Sequence, residues 1–231
     1  MNLLSTFLQR AILQGVPILY GANGEILTEK AGNLNLGIPG IMYMGGVSGL
    51  IAAFFYERAA GDRASGLVGL LVSLCAALLV SMLAGLLYSF LTVTLRANQN
   101  VVGLSLTTFG VGFGNFFGGS LSQLAGGVGQ ISTKLTAAAY RQSLPGLSGL
   151  PFVGKAFFSF GFLTYLSIAL SLCLAFLLTG TRKGLEIRAV GEDPAAADAA
   201  GVDVNRVKYV STVVGAALAG LGGLCFVMEY L

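Results

Sequence analysis

The chain has 231 residues, 55% of them hydrophobic and only 10% charged, with a formal net charge of +3 and a mean hydropathy of +0.82. Its charges cluster between long uncharged runs, which excludes an ordinary soluble domain and indicates a polytopic membrane protein. No basic patch is interleaved with aromatics, so no nucleic-acid partner is expected; the lipid bilayer and protein neighbours are.

The sequence contains no His, which removes the commonest general base and proton relay. Cys75, Cys173 and Cys225 lie singly in apolar runs with no CxxC, so no metal site is expected and the three read as small core residues. The opening MNLLSTFLQR lacks a basic start ahead of an apolar core. A cleaved signal peptide is therefore not expected, and the first hydrophobic segment should stay as a span.

A spanning helix needs roughly 20 mostly apolar residues. Six candidates follow. The first, near Ala11 to Leu27, is the weakest: Arg10 and Glu25 crowd its ends, and Gln14 and Pro17 interrupt it. It is expected to be short, kinked or only partly inserted. The second follows AGNLNLGIPGIMYMGG. Gly32, Gly37, Pro39 and Gly40 disfavour regular helix, and Asn33 and Asn35 place polar groups just before an apolar run through Tyr56. Broken backbone at membrane depth is tolerated only where protein buries it or a water-filled cavity receives it. The stretch is thus a candidate pathway wall, the alternative being a surface loop followed by a plain span. Gly45 and Gly49 form a small-xxx-small pair suited to close helix contact.

The loop from Glu57 to Ser65 precedes the clearest span, Gly66 to Thr94, which is long enough to tilt or to extend beyond the hydrocarbon. Arg96 ends it. Val101 to Gly119 is the fourth span, with Thr107, Thr108 and Asn115 read as helix-contact residues. Ser120 to Lys155 is too polar and too rich in Gly, Ser and Pro to be another span, and its PGLSGLPFVGK reads as an ordered extramembrane loop. Gly126-Gly127-Val128-Gly129 lacks the Lys-Ser/Thr ending of a phosphate-binding loop, and Gly110-Val111-Gly112 lacks the strand context of a dinucleotide site. Ala156 to Gly180 is the fifth span. Tyr209 to Met228 is the sixth, with Gly215, Gly220, Gly222 and Gly223 for tight packing.

Between the last two spans lies TRKGLEIRAVGEDPAAADAAGVDVNRVK, residues 181 to 208. Asp193 suits a helix N-cap, Pro194 the first helical position, the alanines favour helix, and Gly201 suits the left-handed residue past its end. That is a helix of about two turns, finished at both ends. Asp203 can cap a further helix that carries Arg206 and Lys208 before the apolar run begins. Counting Lys and Arg by alternate loops puts Lys30, Arg96, Arg182, Lys183, Arg188, Arg206 and Lys208 on one side, and Arg10, Arg58, Arg63, Lys134, Arg141 and Lys155 on the other. Seven against six does not orient the chain, but five of the seven fall in one loop. That concentration places the 181–208 loop in the cytoplasm, and the N-terminus and the 120–155 loop outside.

Spans two to six carry no internal His, Asp or Glu on which to build an intramembrane hydrolase. Ser132 and Lys134 come nearest to a nucleophile with a base, and isolated groups of that kind in a loop are ordinarily solvated. A self-contained secondary transporter or channel would want an ionisable residue near the midplane, and only Glu25 and Glu29 offer themselves. A pump driven by another subunit needs no such residue, only a firm connection to its motor.

Three separated stretches carry a family likeness: GEILTEKAGNLNLGIPGIMYMGG from Gly24, TLRANQNVVGLSLTTFGVG from Thr94, and TRKGLEIRAVGEDPAAADAAGVDVNRVKY from Thr181. They resemble the membrane permease subunit of binding-protein-dependent ABC importers, in the branch of simple-sugar and nucleoside permeases within the branched-chain amino acid/ribose-type superfamily. The resemblance implies an all-α polytopic membrane protein of the bacterial cytoplasmic membrane. It would be a single permease domain over 1–231, with about six transmembrane helices, a broken second span and a cytoplasmic coupling helix. By the same likeness Glu192, Asp193, Pro194, Ala195, Ala196, Ala197, Asp198 and Gly201 would contact a separate ATPase subunit. That subunit would hold ATP and Mg, leaving no cofactor in this chain. A second permease subunit and an extracytoplasmic solute-binding protein are the other implied partners. Asn23, Asn33, Asn35, Gly37, Pro39 and Gly40 are expected in the translocation path or its gate, or as turn formers and loop caps. Nucleosides are the leading solute class, with simple sugars or another small solute as the alternative. The chain departs from the family's pattern in having Pro39 where members commonly have Glu. Members also usually continue for further spans beyond the sixth.

Overall fold

The computed structural model describes residues 3–124, 133–142 and 160–230. Among these, every regular element is helical: α1 (Leu3–Lys30), α2 (Ile38–Ala60), α3 (Gly66–Ser89), α4 (Gln99–Leu124), α5 (Lys134–Tyr140), α6 (Phe162–Gly180), α7 (Arg182–Glu192), α8 (Pro194–Ala199) and α9 (Val204–Tyr230). Residues 38–63, 66–94, 99–120, 162–180 and 204–229 are each long and apolar enough to cross a membrane. The PGLSGLPFVGK loop and Ser132 lie outside the described residues.

The first helix is not short, one of the forms expected of it. α1 carries Arg10, Glu25, Glu29 and Lys30, so it falls outside the five apolar candidates, yet it is one uninterrupted helix of 28 residues with Pro17 inside it. Packing overrides the local signals. α1 lies along α9, where Gly222 faces the Pro17 carbonyl, and the Tyr20 hydroxyl donates to the Leu163 carbonyl of α6 at 2.8 Å. The break expected inside the second span is a turn ahead of it, from Ala31 to Gly37. Pro39 and Gly40 are already helical, because Pro is tolerated in the first turn, where no intrahelical N–H bond is due. At its far end α3 passes into a π-helical segment, Phe90–Thr94, before the chain turns at Arg96. α4 runs on to Leu124, so the polar segment after the fourth span opens as helix rather than as loop.

α9 sits at the centre, packed along α1, α2 and α3, while α4 leans on α2 and α6 on α1. Within their apolar windows α9 and α2 are 61% and 56% buried, against 22–28% for α3, α4 and α6. The outer helices turn Leu79, Leu83, Phe116, Leu172 and Phe176 outward, the surface expected to face lipid. Cys75 and Cys173 share that exposed surface, contrary to their reading as core residues; only Cys225 is buried. Small residues make the centre possible. Gly45 meets Gly220, Gly46 meets Gly223, and a Cβ on Gly223 would overlap the Met42 backbone carbonyl.

The two ends of the bundle differ. At one, α5 closes over α2, α3 and α9: Thr136 N–H donates to Glu57 Oε1 at 2.8 Å, Tyr140 donates to the Leu70 carbonyl, and Arg141 donates to the carbonyls of Met228 and Glu229. At the other, the turn 31–37, the Arg96 loop and the 181–203 segment converge, with Thr94 bonded to Tyr209 and Gln99 to Gly32. Among the described residues, these groupings match the alternate loops used in the charge count.

Candidate functional site

Each end of the 181–203 segment is finished by a local signal. Thr181 caps α7, its hydroxyl accepting from Gly184 N–H at 3.0 Å. Asp193 Oδ1 caps α8, accepting from Ala195 N–H and Ala196 N–H at 3.0 Å each. The far end of α8 closes in a Schellman motif: Gly201 N–H donates to the Asp198 carbonyl and Val202 N–H to that of Ala197, with Gly201 at φ +85°. Asp203 then caps α9 through Arg206 N–H at 3.0 Å.

This leaves a rigid, outward-facing ridge. Glu192, Asp193, Pro194, Ala195, Ala196, Asp198 and Gly201 are exposed, and Ala197 is the one of the eight that turns inward. Ala197 seats α8 on the protein, and the other seven present small side chains and three carboxylates.

The turn 31–37 is built differently. Most of its backbone N–H groups are paired, as irregular backbone at a membrane boundary requires. Leu34 N–H donates to Gln99 Oε1 at 2.8 Å, Asn35 N–H to Glu25 Oε1 at 3.0 Å, and Gly37 N–H to Asn35 Oδ1 at 2.9 Å. The Leu34 carbonyl accepts from Tyr88 at 2.6 Å and the Leu36 carbonyl from Thr107 at 2.7 Å. Asn33 Nδ2 donates to Thr212 Oγ1 of α9 at 3.0 Å. One turn is thereby pinned to α1, α3, α4 and α9.

Of the sequence-derived path residues, Asn33, Asn35, Gly37 and Gly40 gather in or beside this turn. Asn33 and Asn35 are buried, Pro39 is exposed, and Gly40 lies against Leu106 and Thr107 of α4. Asn23 is separate: it is buried against α6, donating to Ser171 Oγ at 2.7 Å. Sequence reading missed the side chains that hold the turn. Glu25 stood out as a charge near the end of the first span and as a candidate ionisable group, not as a hold on the turn, while Gln99, Tyr88 and Thr212 carry no local signal, because their partners lie 54 to 179 residues away. Glu25 Oε2 and Asn35 Nδ2 are buried without protein partners.

Glu25 makes the arrangement testable. Glu25→Ala leaves the Asn35 N–H buried without an acceptor and should cost about 1–3 kcal/mol. Glu25→Gln retains an acceptor oxygen and should cost less than half as much, read from thermal unfolding of the detergent-solubilised chain. Equal losses would mean that the hydrogen bond does not hold the turn.

A bundle with α9 threaded through its centre and apolar outer helices turned outward defines a multi-pass membrane protein. The profile of the family described as the branched-chain amino acid transport system permease component matches residues 7–231, and the chain belongs to that family. A guanosine ABC transporter permease protein of Bacillus subtilis is 31% identical over 96% of this chain and 67% of its own length. A nucleoside ABC transporter permease protein of Lactococcus lactis subsp. cremoris is 29% identical over 97% of this chain and 68% of its own. A Haloferax volcanii ABC transporter permease protein, provisionally named for glucose, is 31% identical over 96% of this chain and 63% of its own. The chain thus spans about two thirds of the length of these relatives. No solved structure gives a significant match. Family membership identifies a permease component of the cytoplasmic membrane, of the ABC type in which a separate ATPase binds ATP.

Proposed function

We propose that this chain forms part of the solute path of an ATP-driven importer of nucleosides. The observation that carries the reading is the exposed, doubly capped α8 on a chain of this permease family. α8 is the docking element for the ATPase, by way of Glu192, Asp193, Pro194, Ala195, Ala196, Asp198 and Gly201, with Ala197 as its seat. The face bearing α8 is cytoplasmic; the face bearing α5 receives an external solute-binding protein. A second permease subunit encloses the path from the other side.

The mechanism is alternating access. ATP-driven closure of the ATPase pair acts only through contacts that differ between the two permease states, since a partner binding both equally would shift nothing. Asn23, Asn33, Asn35, Gly37, Pro39 and Gly40 contribute to the path or its gate. The position of Asn33, Asn35, Gly37, Pro39 and Gly40 in and beside the turn ahead of α2 supports this, because rearranging the turn would displace α2 and α4 together; Asn23 lies apart, against α6.

Nucleosides lead because the Bacillus and Lactococcus relatives are named for them; the Haloferax relative supports sugars as the second reading. The test is uptake of radiolabelled guanosine by membrane vesicles carrying the assembled transporter. Competition by unlabelled adenosine and not by glucose is the expected result. Glucose uptake without guanosine uptake would replace nucleosides by sugars.

A further inference from the structure

α7 reaches the turn without any side chain between them. At Gly191, a Cβ would overlap the Lys30 carbonyl oxygen and lie 3.2 Å from Gly32 N. At Gly32, a Cβ would lie 3.2 Å from Gly191 Cα and 3.6 Å from Lys208 Nζ, so three elements meet at one point: α7, the turn and α9. Gly32 has φ +80° and ends α1, with Gly32 N–H donating to the Glu29 carbonyl and Asn33 N–H to the Thr28 carbonyl. Both neighbours of the contact on the inward side, Val190 and Ala31, are fully buried. Gly191 stands three residues before α8, and Gly32 stands one residue before Asn33.

We propose that the backbone contact between Gly191 and Gly32 is the joint through which movement of α8 reaches the turn ahead of α2, with both glycines acting as positioning residues for coupling. This rests on the docking role assigned to α8 above. Side-chain contacts can slip between rotamers, whereas two backbones apposed with no side chain between them, and flanked by buried Val190 and Ala31, move together. Beyond the joint, Glu25, Tyr88, Gln99, Thr107 and Thr212 hold the turn, so a displacement entering at Gly191 is delivered to α1, α3, α4 and α9.

The experiment needs no transported solute. Leu34, an exposed residue of the turn, is replaced in a Cys75→Ser, Cys173→Ser background as Leu34→Cys, in the complete transporter in membranes. The rate at which a maleimide labels the introduced thiol is measured with and without ATP and orthovanadate, which trap the ATPase. Trapping is expected to change the rate by at least about fivefold in the otherwise unaltered chain. Gly191→Ala should erase that change while the ATPase still co-purifies. Gly32→Asn should do the same. Asn tolerates the positive φ, and its Cβ needs Gly191 to yield only slightly, so this variant carries the test if Gly191→Ala does not accumulate. Gly112→Ala, with open space around it, should keep the response. A response retained in either joint variant, or absent from the unaltered chain with its ATPase bound, overturns the joint. Failure of the unaltered chain to retain any ATPase overturns the docking role of α8 instead.

Discussion

Gly223→Val should remove the folded chain from the membrane. Gly223 faces the Met42 backbone carbonyl at the crossing of α9 and α2, where even a single added carbon has no room. An overpacked side chain is usually accommodated for about 1–3 kcal/mol by shifts in its neighbours. Here the neighbour is backbone, and the crossing is locked on the same side by Gly46, whose own Cβ would sit 2.6 Å from the Gly223 carbonyl oxygen. Relief requires α9 to leave α2, and α9 is the helix on which α1 and α3 also pack. Accumulation of the chain in membranes, and its size distribution after extraction in mild detergent, measure the effect. Gly118→Val, on α4 with nothing near its missing side chain, should accumulate normally. Normal accumulation of the Gly223 variant would contradict the central packing of α9.

The second large effect belongs to the docking helix. Charge reversal at both Glu192 and Asp193 to Lys should abolish association with the ATPase, for two separable reasons. The first is local: Asp193 supplies the side-chain N-cap of α8, a contribution of about 1 kcal/mol, and a cation at that helix start opposes the dipole. The second is the loss of two carboxylates from the exposed ridge. Asp193→Asn preserves the cap and removes one charge, so it isolates the second term, while Asp193→Ala removes both. Co-purification of the ATPase should rank unaltered chain, Asp193→Asn, Asp193→Ala and the double reversal in falling order. Asp193→Ala is expected at least about fivefold below the unaltered chain. Equal recovery across the series would mean that the ATPase does not read this ridge.

The 181–203 segment was legible because its signals are local. An Asp before a Pro, three alanines, a Gly and a second Asp each act within a few residues, and Asp193, Gly201 and Asp203 all take the geometry their chemistry favours. The glycine-rich run of α9 was legible for a similar reason, since small residues on a helix announce close approach even without naming the partner. The irregular stretch near Asn33 was visible, but its limits were not. Pro39 and Gly40 read as breakers, and only the position of the helix start decides whether Pro breaks it or opens it. α1 is longer than its local signals suggest, because Arg10, Gln14, Pro17 and Glu25 read as interruptions against lipid, whereas α9 and the turn form much of its surroundings. The clamp of Glu25 on Asn35, the reach of Gln99 to Leu34 and the meeting of Gly191 with Gly32 depend on how the elements cross. No pattern in the intervening residues encodes them.

Cross-linking from α8 tests the central claim most directly. A photoreactive amino acid in place of Ala195, an exposed position that takes part in the cap only through its backbone N–H, is illuminated in membranes carrying the complete transporter. The product expected is a single adduct between this chain and the ATPase, lost when Glu192 and Asp193 are both changed to Lys. Illumination that yields no ATPase adduct while the ATPase still co-purifies with the chain would contradict α8 as the element through which ATP drives the permease.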